Sequence, residues 1–77
     1  MNKVRRKAIE EIIGKLEELK DQLETLSTEE LEAYDNLPES IQSSERGERM
    51  SEGVDDIDNA TGSIEDAIYT LTDLIER

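Results

Sequence analysis

The stretch that decides the fold runs from Met50 to Ile75 and reads MSEGVDDIDNATGSIEDAIYTLTDLI. Its apolar residues and one threonine recur at alternating intervals of four and three, which is the heptad spacing of a helix that packs along one face. The members of this row are Met50, Val54, Ile57, Thr61, Ile64, Ile68, Leu71 and Ile75. Because the phase is kept throughout, we predict one helix over about residues 45–76, with Gly62 and Ser63 as the candidate position for a kink.

The same stretch is rich in aspartate, which raises the question of a calcium site. An EF-hand loop needs oxygen ligands at positions 1, 3 and 5, a glycine at position 6 and a glutamate at position 12. A loop starting at Asp56 puts Ala60 at position 5 and Thr61 at position 6, whereas a loop with Gly62 at position 6 starts at Ile57. Neither frame fits, so we expect a helix here, with no metal and no other cofactor.

A second row of apolar residues near the start of the chain has the same heptad spacing. Its a positions are Ile9, Leu16 and Leu23, and its d positions are Ile12, Leu19 and Leu26. This row predicts a helix over about residues 3–26. With the exceptions of Leu26 and Thr61, the residues of both rows are the predicted core and oligomer seam.

Residues 27–44 form the predicted connector between the two helices. Ser27 and Glu30 have the spacing of a capping box, in which each side chain accepts from the other residue's backbone N–H, so a new short helix is expected to begin at Ser27. Pro38 disfavours helical geometry in the residue before it, so that helix should end near Asn36. The prediction for residues 1–77 is thus a single all-α domain, a helical hairpin with a short helix in its connector.

The composition leaves little material for a core. Only 18 of the 77 residues are Val, Ile or Leu, and Phe, Trp, Cys and His are absent. Small folds of this kind gain stability from disulfides, metals or oligomerisation. This chain has no cysteine for a disulfide and neither cysteine nor histidine to bind a structural metal. Gly53, Ala60, Ala67 and Leu74 recur beside the second row and widen its apolar face to that of a bundle. We therefore predict that homo-oligomerisation, as a dimer, completes a four-helix bundle.

Charge is the other strong signal, with 21 acidic and 9 basic side chains and a net charge of −12. Residues 1–7 contain four basic side chains and no acid, so residues 8–77 carry a net charge of −16. Such a surface repels nucleic acid and anionic membranes and attracts basic proteins. The residues predicted to bind a basic partner are Glu52, Asp55, Asp56, Asp58, Glu65, Asp66 and Asp73.

Motifs of enzymes are missing from the chain. It has neither a P-loop nor a Gly-rich dinucleotide fingerprint, and it has no thiol or imidazole for nucleophilic or general-base chemistry. No catalytic residue is predicted, and we expect a protein that is not an enzyme. The absence of Cys and of any long apolar run leads us to expect a cytoplasmic location.

The start of the second long helix is a candidate phosphate site. Ser43, Ser44, Arg46 and Arg49 bring two hydroxyls, two guanidinium groups and free backbone N–H groups to one helix start. A simpler interpretation is that the serines cap the helix and the arginines pair with nearby acids such as Glu45. The negative charge of the surroundings favours this simpler interpretation.

The stretch from Ala33 to Glu48 reads AYDNLPESIQSSERGE. It resembles a group of small uncharacterised acidic helical proteins of Gram-positive bacteria and their phages, in which a similar DNLPES-Q-SERGE stretch leads into an acidic helix. This chain departs from the group at Gly53, Thr61 and Gly62, which interrupt the expected Glu/Ala-rich helix.

The resemblance implies a phage or mobile-element accessory protein in a bacterial host cell. Small acidic phage proteins often inhibit host defence by occupying a nucleic-acid-binding surface. Our first hypothesis is such an inhibitor, acting on a basic host protein through an acidic, DNA-mimic-like helix. The alternatives are an oligomeric sponge that sequesters a nucleotide signal near Arg46 and Arg49, and a structural assembly module.

Overall fold

The computed structural model describes residues 1–77 as two long antiparallel helices joined by a short one. Helix α1 spans Lys3–Asp35, α2 spans Glu39–Gln42 and α3 spans Glu45–Glu76. The molecule is a rod of 58 × 14 × 13 Å, and its radius of gyration of 17.4 Å exceeds the roughly 11 Å of a globular domain of this length. The predicted all-α helical hairpin with a short connector helix is confirmed.

The prediction that α1 ends near residue 26 and that Ser27 caps a new helix is wrong. Helix α1 continues through Ser27 to Asp35 without a break. Ser27 is buried, and its hydroxyl donates a hydrogen bond to the Asp58 carboxylate of α3 at 2.6 Å. An N-cap serine needs extended backbone and free N–H groups beyond it, whereas here the preceding turns of α1 supply carbonyl acceptors. The contact with α3 therefore decides the role of this serine.

Pro38 limits α1 as the sequence indicates. The helix ends at Asp35, and Asn36 follows as its C-cap. The side-chain amide of Gln42 donates to the Tyr34 carbonyl oxygen at 3.1 Å, which satisfies one of the acceptors that the last turn leaves free. Helix α2 is thereby tied to the end of α1.

Helix α3 runs without interruption through Gly62 and Ser63. The Ser63 hydroxyl donates to the Asn59 carbonyl oxygen of the preceding turn at 3.2 Å, so it does not cap a new helix. No glycine of the chain has a positive φ angle. The boundaries predicted for this helix, about residues 45–76, agree with the structure.

The seam of α3 faces α1 as its heptad spacing predicts. Val54 and Thr61 are buried, and the Thr61 hydroxyl donates a hydrogen bond to the Ile57 carbonyl oxygen of its own helix at 2.9 Å. The remaining seam residues are half-buried, namely Met50, Ile57, Ile64, Ile68, Leu71 and Ile75. Val54 is the one apolar residue that the hairpin buries, and no side chain falls below 2% exposure.

The seam of α1 differs from the prediction on one flank. The a residues Ile9, Leu16 and Leu23 are half-buried, but the d residues Ile12, Leu19 and Leu26 are 47%, 49% and 51% exposed. The residues that face α3 in place of the d row lie one position further along the chain, at the e positions of the heptad. They are Ile13, Lys20, Ser27 and Tyr34. Helix α1 thus faces α3 with its a and e rows, so Ile12 and Leu19 lie outside the core of the hairpin, and their place in an oligomer seam stays a prediction.

Candidate functional site

Five of the acidic residues predicted to bind a partner lie together on the outside of α3. At 3.6 residues per turn they fall within roughly 100° of one another, on the side of the helix that faces away from α1. All five are exposed. We call them the acidic face, which consists of Glu52, Asp55, Asp56, Asp66 and Asp73.

The other two predicted partner-binding acids, Asp58 and Glu65, turn toward α1 instead. Asp58 accepts the hydrogen bond from Ser27, and Glu65 lies 4.0 Å from the Lys20 ammonium nitrogen. These contacts hold the two long helices in register. Asp58 and Glu65 therefore support the hairpin, and the structure does not bring them onto the acidic face.

None of the acidic-face carboxylates has a basic partner within the chain. The structure contains three ion pairs, which are Lys20 with Glu24, Lys20 with Glu65, and Arg49 with Glu45. Between residues 50 and 76 there are eight acids and no basic residue. The negative charge of the acidic face is thus left without an ion pair and is directed to solvent, where it attracts a positively charged surface.

Tyr69 is a residue of this surface that the sequence analysis missed. It follows Asp66 by three residues and precedes Asp73 by four, so it continues the same row, and it is 63% exposed. Its hydroxyl donates to a Glu65 carboxylate oxygen at 3.3 Å. Tyrosine is enriched where interfaces are strongest, and its three- and four-residue spacing from the acids was the signal available.

Lys20 and Ser27 were also missed as residues that position α3. Together with Ile13 and Tyr34 they form a row spaced by seven residues, which is visible in the sequence. A Lys and a Ser interrupt this row, whereas the neighbouring d row is fully apolar, so hydrophobic spacing alone favours the d row. The structure shows that the polar members of the row contact Asp58 and Glu65 directly.

The four residues of the candidate phosphate site do not converge on one point. The Ser43 hydroxyl donates to the Glu39 carbonyl oxygen at 3.2 Å, and the Ser44 hydroxyl donates to the Ile41 carbonyl oxygen at 2.5 Å. Arg49 pairs with Glu45. Only the Arg46 guanidinium is without a partner in the chain, and it is exposed.

The simpler interpretation of this segment holds for Arg49, which pairs with a nearby acid, but it needs correction at the serines. Ser44 occupies the N-cap position of α3 in backbone terms, yet its side chain caps nothing because it turns back to α2. Nucleotide binding at Arg46 stays a prediction.

Gly47 closes the junction between α2 and α3. It is buried, and a Cβ atom built on it would lie 2.2 Å from the Gln42 carbonyl oxygen. Such a distance is far inside van der Waals contact, so only glycine lets the start of α3 approach α2 this closely. The position of α2 thus depends on this residue.

The remaining surface shows no constellation for chemistry. No group of three or more acidic, histidine or cysteine side chains is placed to hold a metal ion. Every buried side-chain nitrogen or oxygen has a hydrogen-bond partner, and the concave regions are shallow depressions open to solvent. None of the three helices has the length and apolar character needed to cross a membrane.

Comparison with known proteins gave no match to a protein family, a curated protein or a solved structure.

Proposed function

We propose that this protein acts as a small acidic interaction protein that inhibits a basic, nucleic-acid-binding host protein by occupying its binding surface. The acidic face of α3 is the contact surface, and the site of action is the cytoplasm of a bacterial host cell. The observation that carries this proposal is that five exposed carboxylates share one side of a long helix and none has a basic partner within the chain.

The charge spacing along α3 supports mimicry of a nucleic-acid backbone. The acidic face runs from Glu52 to Asp73, about 32 Å at 1.5 Å per residue, and carries five carboxylates, which is about one charge every 6–8 Å. One strand of DNA carries a charge about every 3.4 Å. A basic groove that binds nucleic acid therefore meets a line of negative charge on this helix at about half the density of a DNA strand, with Tyr69 as an aromatic contact beside it.

The experiment compares two variants of equal net charge. In the first, Glu52→Gln, Asp55→Asn, Asp66→Asn and Asp73→Asn neutralise four carboxylates of the acidic face. In the control, Glu10→Gln, Glu11→Gln, Glu18→Gln and Glu32→Gln neutralise four exposed carboxylates of α1. Each chain is immobilised, and the proteins it retains from a lysate of Gram-positive bacteria are identified by mass spectrometry at low and high salt.

The proposal expects a retained protein that binds nucleic acid, is released by salt, and is lost with the acidic-face variant but kept with the α1 control. The purified partner must then release labelled duplex DNA or RNA when the wild-type chain is added. Equal retention by both variants would show that bulk charge alone is responsible. A partner whose nucleic-acid binding is unaffected would contradict inhibition.

A further inference from the structure

One flank of the hairpin is apolar and uncovered. The e rows of α1 and α3 meet on the opposite flank, through Ser27 with Asp58 and Lys20 with Glu65. In an antiparallel pair this places the d row of α1 on the other flank, beside the g row of α3. There Leu26 and Ile57 line one shared depression, with Glu29 and Glu30 at its rim. We call this flank the d/g face, which consists of Ile12, Leu19 and Leu26 of α1 and Gly53, Ala60, Ala67 and Leu74 of α3.

The d/g face is shaped for another pair of helices. Ile12, Leu19 and Leu26 are each about half exposed, whereas Ala60 and Ala67 are exposed and small. A Cβ atom built on Gly53 meets nothing within 4 Å, so the surface there is open. Large side chains on one helix and small ones on its neighbour produce the knobs and hollows by which helices interlock.

The exposed area of the hairpin matches what a dimer would bury. The chain of 8.8 kDa exposes 5801 Å², whereas a compact monomer of this mass exposes about 4,800 Å². The excess of roughly 1,000 Å² is close to the roughly 800 Å² that each partner contributes to a stable interface. A face as long and wide as this rod, 58 by 14 Å, also spans roughly 800 Å².

Charge selects the orientation of the second copy. Lys3, Arg5 and Lys7 lie at one end of the rod and form no ion pair within the chain. The other end, around the connector, carries eight acids and two basic residues between residues 28 and 52. An antiparallel pair of rods brings each basic end against an acidic end, whereas a parallel pair places like charges together.

We infer that the d/g face binds a second copy of this chain, antiparallel to the first, and completes a four-helix bundle. Leu19 is the middle member of its row, so it lies near the two-fold axis, with Ile12 of one copy beside Leu26 of the other. The acidic face of α3 lies about a quarter turn around the helix from the g row, with Asp56 at its edge nearest the interface, so most of each acidic face stays open to solvent in the dimer. The inference is independent of the function proposed above.

The first test is the mass of the full chain in solution, measured by light scattering. We expect twice the chain mass of 8.8 kDa. Leu19→Glu places a charge at the centre of the d/g face and should reduce the mass to that of one chain. Leu31→Glu is the matched control, because Leu31 has a similar exposure of 46% but lies outside the d/g face, and its dimer should persist. A monomeric wild-type chain, or equal effects of the two variants, would overturn the inference.

A second test keeps the inference falsifiable if Leu19→Glu unfolds the chain. The protein has no cysteine, so single substitutions report contacts cleanly. Chains with Ile12→Cys and chains with Leu26→Cys are mixed in equal amounts and oxidised. The antiparallel dimer predicts that mixed disulfides exceed like-with-like ones severalfold. An excess of like-with-like pairs would show a parallel dimer, and the absence of cross-links would show that the d/g face is not the interface.

Discussion

The Ser27 hydroxyl donates a hydrogen bond of 2.6 Å to the Asp58 carboxylate, from the last third of α1 to a residue near the middle of α3. The two residues are 31 positions apart in the chain, and Ser27 is one of the few buried residues of the hairpin. Two amphipathic helices of this length can slide by one turn with little change in apolar contact. This part-buried hydrogen bond to a charge favours one register, because a slide by one turn separates the Ser27 hydroxyl from Asp58.

We therefore predict that Ser27→Ala lowers the free energy of unfolding by about 1–2 kcal/mol, because it removes a hydrogen bond to a charged group that is itself exposed to water. The effect is measured by urea denaturation. Thr28→Ala is the matched control, because Thr28 is exposed and its hydroxyl bonds only to the Glu24 carbonyl oxygen of its own helix. Non-additivity of Ser27→Ala and Asp58→Ala in a double-mutant cycle would identify the pair, and full additivity would contradict it.

Alanine substitutions at two glycines in different surroundings should change the free energy of unfolding in opposite directions. Gly47→Ala forces a methyl group against the Gln42 carbonyl oxygen, and we expect a loss of about 1–3 kcal/mol as α2 moves away. Gly14 is exposed on α1 with open space around it, so Gly14→Ala should stabilise the protein by about 1 kcal/mol through helix propensity. Thermal unfolding followed by circular dichroism measures both, and a neutral Gly47→Ala would show that α2 is not held against α3.

Arg6 joins the two ends of the hairpin that lie furthest from the connector. Its guanidinium donates to the backbone oxygens of Ile75 at 2.5 Å and of Arg77 at 3.2 Å, where the α3 carbonyls lack helical partners. Arg6→Gln should cost about 0.5–1 kcal/mol and speed amide hydrogen exchange in the last turns of α3. Arg5→Gln removes the same charge from an exposed residue without these contacts, so it should leave that exchange unchanged.

The start of α3 offers a decisive check on nucleotide binding. Because the Ser43 and Ser44 hydroxyls already donate to backbone carbonyls, we expect ATP and inorganic phosphate to raise the melting temperature no more than equal concentrations of sulfate. A selective rise with ATP that Arg46→Ala abolishes would instead establish the nucleotide-sequestering alternative. Saturation at one hundred times the dissociation constant would add about 2.7 kcal/mol, a shift that is easily measured.

The parts of the fold that depend on short-range signals were predictable from the sequence. The seam from Met50 to Ile75 repeats over seven intervals, and so specifies one long helix across Gly62. Pro38 ends α1 through its effect on the backbone of the residue before it. The heptad spacing also assigns the five residues of the acidic face to the outside of α3 without any knowledge of its packing.

The prediction was wrong where a local signal had two interpretations. Ser27 followed by Glu30 fits a capping box, but a serine inside a helix also suits a position that faces a carboxylate on a neighbouring helix. Asp58 is distant in sequence, so its position opposite Ser27 could not be predicted from the local pattern. Asp58 and Glu65 were assigned to the partner surface for the same reason, since an acid at the edge of a seam is indistinguishable from an exposed one until its neighbour is known.

The sequence by itself determined that the chain forms two long helices, each with an apolar stripe, because heptad spacing acts within one helix and needs no partner. Only the tertiary structure decided how far α1 is rotated about its own axis. That rotation brings Lys20 and Ser27 to Glu65 and Asp58, which are contacts between residues far apart in the chain. It turns Leu19 and its row outward, and so leaves the apolar face from which we infer a dimer.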